Sequence, residues 1–166
     1  MASTQALLAT FKKDLLNGIH AFGTTNTRAG TTADTFYGAL ILDSAALSAT
    51  SPANGYYGGT FGGAAWSTTE VSGTNYTANG AAITNATTPG LTGTTAFWTP
   101  SSALTWTNVT LSTSFSALFI YNATAGTTTT KPGVGVFTFG ATTVSAGNFT
   151  INWPTNDSTN ALVKIA

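Results

Sequence analysis

Charge is what this sequence lacks most. Of its 166 residues, five are basic and five acidic, and they cancel. A free-standing soluble domain ordinarily has about a quarter of its residues charged, which keeps its surface hydrated and its copies apart. Here roughly one residue in five is Thr, far above ordinary usage, so uncharged hydroxyls carry the solvation. Such a surface has little long-range repulsion to overcome when it packs against a partner or a copy of itself. It also leaves little for acid–base chemistry. The composition points to an assembly or binding protein and not to an enzyme.

Other absences narrow the field. With no Cys there are no disulfides, no thiolate zinc site and no thiol nucleophile. No stretch approaches the ~18 apolar residues of a membrane-spanning helix, so no membrane partner is expected. An export peptide places positive charge ahead of its apolar stretch, whereas Lys12 and Lys13 follow Leu7, Leu8 and Phe11. Synthesis in a cytoplasm without a signal peptide is the expectation. Lys12-Lys13 is balanced by Asp14, so no nucleic-acid-binding face is expected either. His20 is the single imidazole and falls near the end of the one helical pattern, where histidines cap carbonyls. No carboxylate cluster resembles a calcium loop, and no Gly-rich loop precedes a helix to cradle phosphate. No catalytic, cofactor-binding or metal-ligating residue is therefore expected. By elimination, Asp43 and Glu70 are the one carboxylate pair left for a glycoside-cleaving alternative.

What is present is one helix followed by β-structure. Leu8, Phe11, Leu15, Ile19 and Phe22 follow helical spacing and form an apolar stripe, with Lys12, Lys13 and Asp14 pointing away. Ser3 or Thr4 is placed to cap it, and Gly23 or Asn17-Gly18 to stop it. The stripe either closes one end of its own domain or docks on a neighbouring subunit. Residues 1–22 are thus read as an N-terminal helical arm and 23–166 as a single β-sandwich domain. Alternating short runs at 35–43, 70–77, 81–85, 94–99, 104–111, 115–122, 134–139, 149–153 and 162–165 predict strands. Asn79-Gly80 predicts a hairpin turn between the second and third of these. Phe119, Trp106 and Trp153 are expected in the core. Residues 48–65 and 123–133 read as loops. The fold class is all-β: a β-sandwich or jelly-roll-like domain of eight or nine short strands preceded by one amphipathic helix. Tyr56, Tyr57, Phe61 and Trp66, in or beside the Gly-rich segment, join Leu8, Phe11, Lys12, Leu15, Ile19 and Phe22 as candidate partner-interface residues.

The series DLLNGIHAF (14–22), FYGALIL (36–42), TEVSGTNYTANG (69–80), ALFIYNAT (117–124) and FGATTVSAGNFTINWP (139–154) resembles small virion proteins of tailed double-stranded DNA bacteriophages. The similarity is carried by the EVSG-x-x-Y segment at 70–76 and by the late AG-x-F-x-I-x-W-P run at 146–154. It implies a β-sandwich structural component without a catalytic motif, on the capsid exterior or the tail. The function this implies is a capsid decoration or cement protein that bridges major capsid subunits, with the major capsid protein and copies of itself, as a homo-oligomer, for partners. The alternative is a tail-fibre or tail-tip adhesin binding host surface glycan through Tyr56, Tyr57 and Trp66. A polysaccharide-cleaving enzyme is the remote third reading.

Overall fold

The computed structural model describes residues 4–24, 32–47, 68–125 and 131–166, with the backbone of three two-residue strands between 56 and 65. The elements are β1 (Ala6–Leu7), α1 (Ala9–Leu16), β2 (Phe36–Leu42), β3 (Tyr56–Tyr57), β4 (Thr60–Phe61), β5 (Ala64–Ala65), β6 (Ala81–Ile83), β7 (Gly90–Thr92), β8 (Thr95–Trp98), β9 (Leu104–Asn122), β10 (Lys131–Ile151) and β11 (Val163–Ile165). The larger sheet runs β1-β10-β9-β2-β6, with β3 also paired to β10, and the smaller runs β11-β8-β7. β4 and β5 form a separate ribbon. Every pairing is antiparallel. The fold is all-β and sandwich-like, with one short helix near the N-terminus.

Strand lengths depart from the sequence expectation. Residues 104–111 and 115–122 are parts of one 19-residue strand, and 134–139 and 149–153 belong largely to one of 21 residues. The Ser-Thr-Ser and Gly-Ala-Thr-Thr stretches that separate those runs do not interrupt the strands, because the β9–β10 ribbon absorbs them as register shifts. Asn108 and Ala146 take positive φ at these irregularities. Their N–H groups donate to Asn148 Oδ1 at 2.9 Å and Thr110 Oγ1 at 3.1 Å. The broken ladder is thus repaired by side chains.

β9 lies between β10 and β2, and its second half is covered on both faces. Phe115, Ala117 and Phe119 alternate with Leu118 and Ile120, and all are buried. The smaller sheet closes over this layer through Trp98, whose ring centroid is 5.8 Å from that of Phe36. Trp106 is in the core as expected, but Trp153 is half-buried beyond the end of β10. Asn79 and Gly80 do take positive φ, yet no hairpin joins 70–77 to 81–85. β6 pairs with β2 instead, and a Cβ on Gly80 would lie 2.0 Å from the Gly38 carbonyl oxygen.

The N-terminal segment packs into the β-structure, the arrangement expected if the stripe closes one end of its own domain. β1 pairs with β10 through Ala6↔Val136 and Leu7↔Gly135, and the Leu8 N–H reaches Val134 O at 3.0 Å. α1 is only eight residues long, with Leu8 as N-cap and no side-chain cap, so Thr4 does not serve, and Ser3 lies outside the described residues. It stops at Asn17-Gly18. Gly18 N–H bonds Leu15 O and Ile19 N–H bonds Asp14 O, a Schellman turn around the positive φ of Gly18. Asp14 does not point outward: it is 1% exposed, beside Lys13 Nζ at 3.8 Å. Burial holds its carboxyl above the usual range, partly offset by Lys13.

Candidate functional site

Two buried polar clusters are built around Asp34 with His20 and around Glu70. In the first, Asp34 Oδ2 accepts from the Ala21 N–H at 2.7 Å and from Asn122 Nδ2 at 2.6 Å. Asn122 Oδ1 accepts the Thr124 and Ala125 N–H groups, both at 3.0 Å. Asn85 completes the joint: its Oδ1 accepts the Gly23 N–H at 2.7 Å and its Nδ2 donates to Asp34 O at 2.8 Å. The chain after α1 is thereby tied to the end of β9 and to residues following β6.

His20 belongs to this cluster and not to the helix end. Its ring is 9% exposed and packs against Phe11, Phe22 and Phe36. Asn122 Nδ2 lies 3.3 Å from Nδ1, so Nδ1 accepts and the neutral ring carries its proton on Nε2. Nε2 is buried without a partner among the described residues. Burial pushes the His20 pKa down to about 4, against a smaller opposing pull from Asp34. The folded state therefore binds fewer protons than the unfolded one below pH 6.5. Stability should be unaffected by His20 above that value and should fall by roughly 3 kcal/mol as the pH drops through it towards 4. Chemical denaturation across this window should show that slope, and His20→Phe should flatten it. An equal slope in the variant would assign the titration to another group.

The second cluster explains the EVSG-x-x-Y segment. Glu70 Oε1 accepts from Tyr76 Oη at 2.7 Å and from the Asn79 N–H at 3.0 Å. Tyr76 Oη accepts the Leu40 N–H at 3.0 Å, and Tyr121 Oη donates to Asn79 O at 2.7 Å. Burial, with Glu70 and Tyr37 nearby, holds the Tyr121 phenol above its ordinary range. Gly73 is required by space, since a Cβ there would lie 2.0 Å from Thr110 O, where residue 74 bridges to β9. Glu70 thus clasps the 70–80 loop onto β2 and β9. Asp43 is half-buried just past β2, with its N–H on Ser114 O at 2.9 Å.

The remaining feature is an apolar groove between α1 and β11. One part, of about 540 Å³, is lined by Leu7, Phe11, Leu15, Leu16 and Ile165, with Lys12 and Lys164 at its rim. A second part of about 170 Å³ continues it past Phe22 and Phe97 and shares Phe11, Leu15 and Ile165. Leu16 is 91% exposed and Ile165 46%. Large apolar side chains that stay in water beside a groove mark an interaction surface.

Of the sequence-predicted interface residues, the groove gathers Phe11, Lys12, Leu15 and Phe22. Leu8 and Phe11 are nonetheless fully buried, so they cannot be presented on a free stripe; Phe11 reaches the groove only as its floor. Ile19 is half-buried after the helix has ended. Phe22 stacks on Phe36, centroids 4.6 Å apart. Tyr56, Tyr57 and Phe61 have described backbones in β3 and β4, but their side chains, and Trp66 entirely, lie outside the described residues. Leu16 and Ile165 were missed. Leu16 sits off the helical stripe, and an apolar residue off the stripe was the available signal.

Among the described residues no group of three potential metal ligands occurs and no helix is long and apolar enough to cross a membrane. Compared with protein-family models, curated proteins and solved structures, the chain matches none.

Proposed function

We propose that this chain is a non-enzymatic structural protein of a tailed-phage virion, seated on the capsid surface as a decoration protein that bridges major capsid subunits. The groove between α1 and β11 carries the reading, because it brings two of the exposed large apolar side chains, Leu16 and Ile165, together on one surface. The outer ribbon supports it. Thr105, Thr107, Ser112, Thr113, Thr143, Ser145 and Thr150 are exposed along β9 and β10 with no charge among them. A neutral face of this kind lies against a neighbour without electrostatic cost. The sequence segments at 70–76 and 146–154 are the link to virion proteins.

The test is incorporation into particles. Leu16→Asp with Ile165→Asp should reduce the amount of this protein on purified particles by about tenfold or more, since a buried apolar anchor carries a large share of docking energy. Leu16→Asp alone should leave melting nearly unchanged, because Leu16 is 91% exposed, and the double variant should lose only the modest share of stability that the half-buried Ile165 supplies. Wild-type should be present at capsid-scale copy number. Undiminished incorporation of the double variant, or wild-type found in only the few copies of a tail tip, overturns the reading.

A further inference from the structure

β10 ends at Ile151, and the chain leaves the sheet through Asn152, Trp153 and Pro154. Trp153 Nε1 donates to Ser102 O at 2.6 Å, which pins the indole by its edge while the residue stays half-buried. Two cavities flank these same three residues, one of about 430 Å³ and one of about 270 Å³. The larger is completed by Thr87, Thr99, Ser101 and Asn156, and no charged side chain lines either cavity. Thr99 and Ser101 are already engaged, with Leu162 N–H and Thr84 O respectively. Asn152 is exposed at the cleft, and Asn156 Oδ1 is buried with no partner among the described residues.

We infer that this cleft binds a neutral saccharide, stacked on Trp153 and hydrogen-bonded by the side chains of Asn152 and Asn156. The chemistry selects among ligand classes. A sugar ring offers an apolar C–H face to an indole and hydroxyls that both donate and accept, which suits amide side chains that do the same. An anion or cation would be desolvated against a lining that holds no opposite charge. A wholly apolar ligand would cover the exposed Asn152 amide and leave it unpaired, which is unfavourable. A nucleotide could stack but would bring a phosphate to a site without a cation. The larger cavity falls within the ~300–1,000 Å³ of small-molecule sites. This inference stands apart from the assembly role, because the cleft shares no lining residue with the α1–β11 groove.

The experiment is a titration of the purified protein followed by the indole N–H resonances, with that of Trp153 identified from Trp153→Phe. The probes are glucose, galactose, mannose, N-acetylglucosamine and their β-linked disaccharides, with glucose 6-phosphate as the charged control. At least one neutral probe should shift the Trp153 resonance saturably, with a dissociation constant in the millimolar range or tighter, and the phosphate should bind at least about tenfold more weakly than glucose. Trp153→Ala should weaken binding by about tenfold or more. Should that variant fail to fold, Asn156→Ala, which removes no ring from the packing, should still weaken it about fivefold. Absence of a saturable shift with every neutral probe, binding of glucose 6-phosphate equal to glucose, or full binding by Asn156→Ala each overturns the inference.

Discussion

A chain beginning at Gly23 should not fold. Truncation removes Leu8 and Phe11, both fully buried, together with the rings of His20 and Phe22 that pack on Phe36 and Trp98. Large-to-small changes at single sites of this kind cost about 2–5 kcal/mol each, and whole domains are stable by only about 5–15 kcal/mol. It also strips β1 from the edge of β10, leaving Gly135 and Val136 without their ladder partners. The expected result is loss of the cooperative melt and of β-type circular dichroism, with material in inclusion bodies. A soluble, cooperatively melting fragment 23–166 would restore the division into arm and sandwich. The proposed docking role can then be tested only by point variants on the groove, not by deletion.

The second large effect is expected at Asp34. Asp34→Ala leaves the Ala21 N–H buried without its acceptor and takes from Asn122 Nδ2 its shortest contact, leaving only Ile19 O and His20 Nδ1 at 3.3 Å each. Breaking a buried, hydrogen-bonded polar group in this way should cost about 3–5 kcal/mol, read from urea midpoints at constant m-value. Asp34→Asn retains an acceptor and should cost less. The Asp34→Ala and Asn122→Ala changes share a hydrogen bond, so their double variant should be milder than the sum. A cost below about 1 kcal/mol for Asp34→Ala would mean that water takes over the role of the carboxylate.

The part of the fold legible in the sequence is the part written in side-chain period. Alternation in FSALFIY and the helical spacing of Leu8, Phe11 and Leu15 located β9 and α1, and Asn17-Gly18 marked the helix stop. Ribbon continuity was not legible, because Ser112-Thr113-Ser114 and the Gly140–Gly147 region carry turn-forming residues that the ribbon accommodates by bulging. The Asp34–Asn122–Asn85 joint was hidden for another reason. In a chain so rich in Asn and Thr, no local signal separates a buried amide from a solvated one, and these partners lie far apart in sequence. The groove was half visible. The stripe supplied Leu15 and Phe22, whereas Ile165 joins the groove only because β11 lies beside α1. Trp153 was misplaced because alternation was extended two residues past the end of β10, where the backbone has already turned away.

The pairing of β1 with β10 also sets a timetable. Ala6 meets Val136, about 130 residues later, and Asn122 is needed to fix the Ile19–Ala21 stretch. At a synthesis rate of ~5–20 residues per second, the first apolar residues wait roughly 7–25 seconds for their partners. During that interval Leu8, Phe11 and Phe22 are exposed on the nascent chain. Long-range pairing of this kind is slow for the same entropic reason that loop closure is. The N-terminus should therefore be the last region to gain protection from hydrogen exchange during refolding, although it is made first. Its late arrival leaves the Leu16 side of the groove to be completed only once β11, at the far end of the chain, is in place.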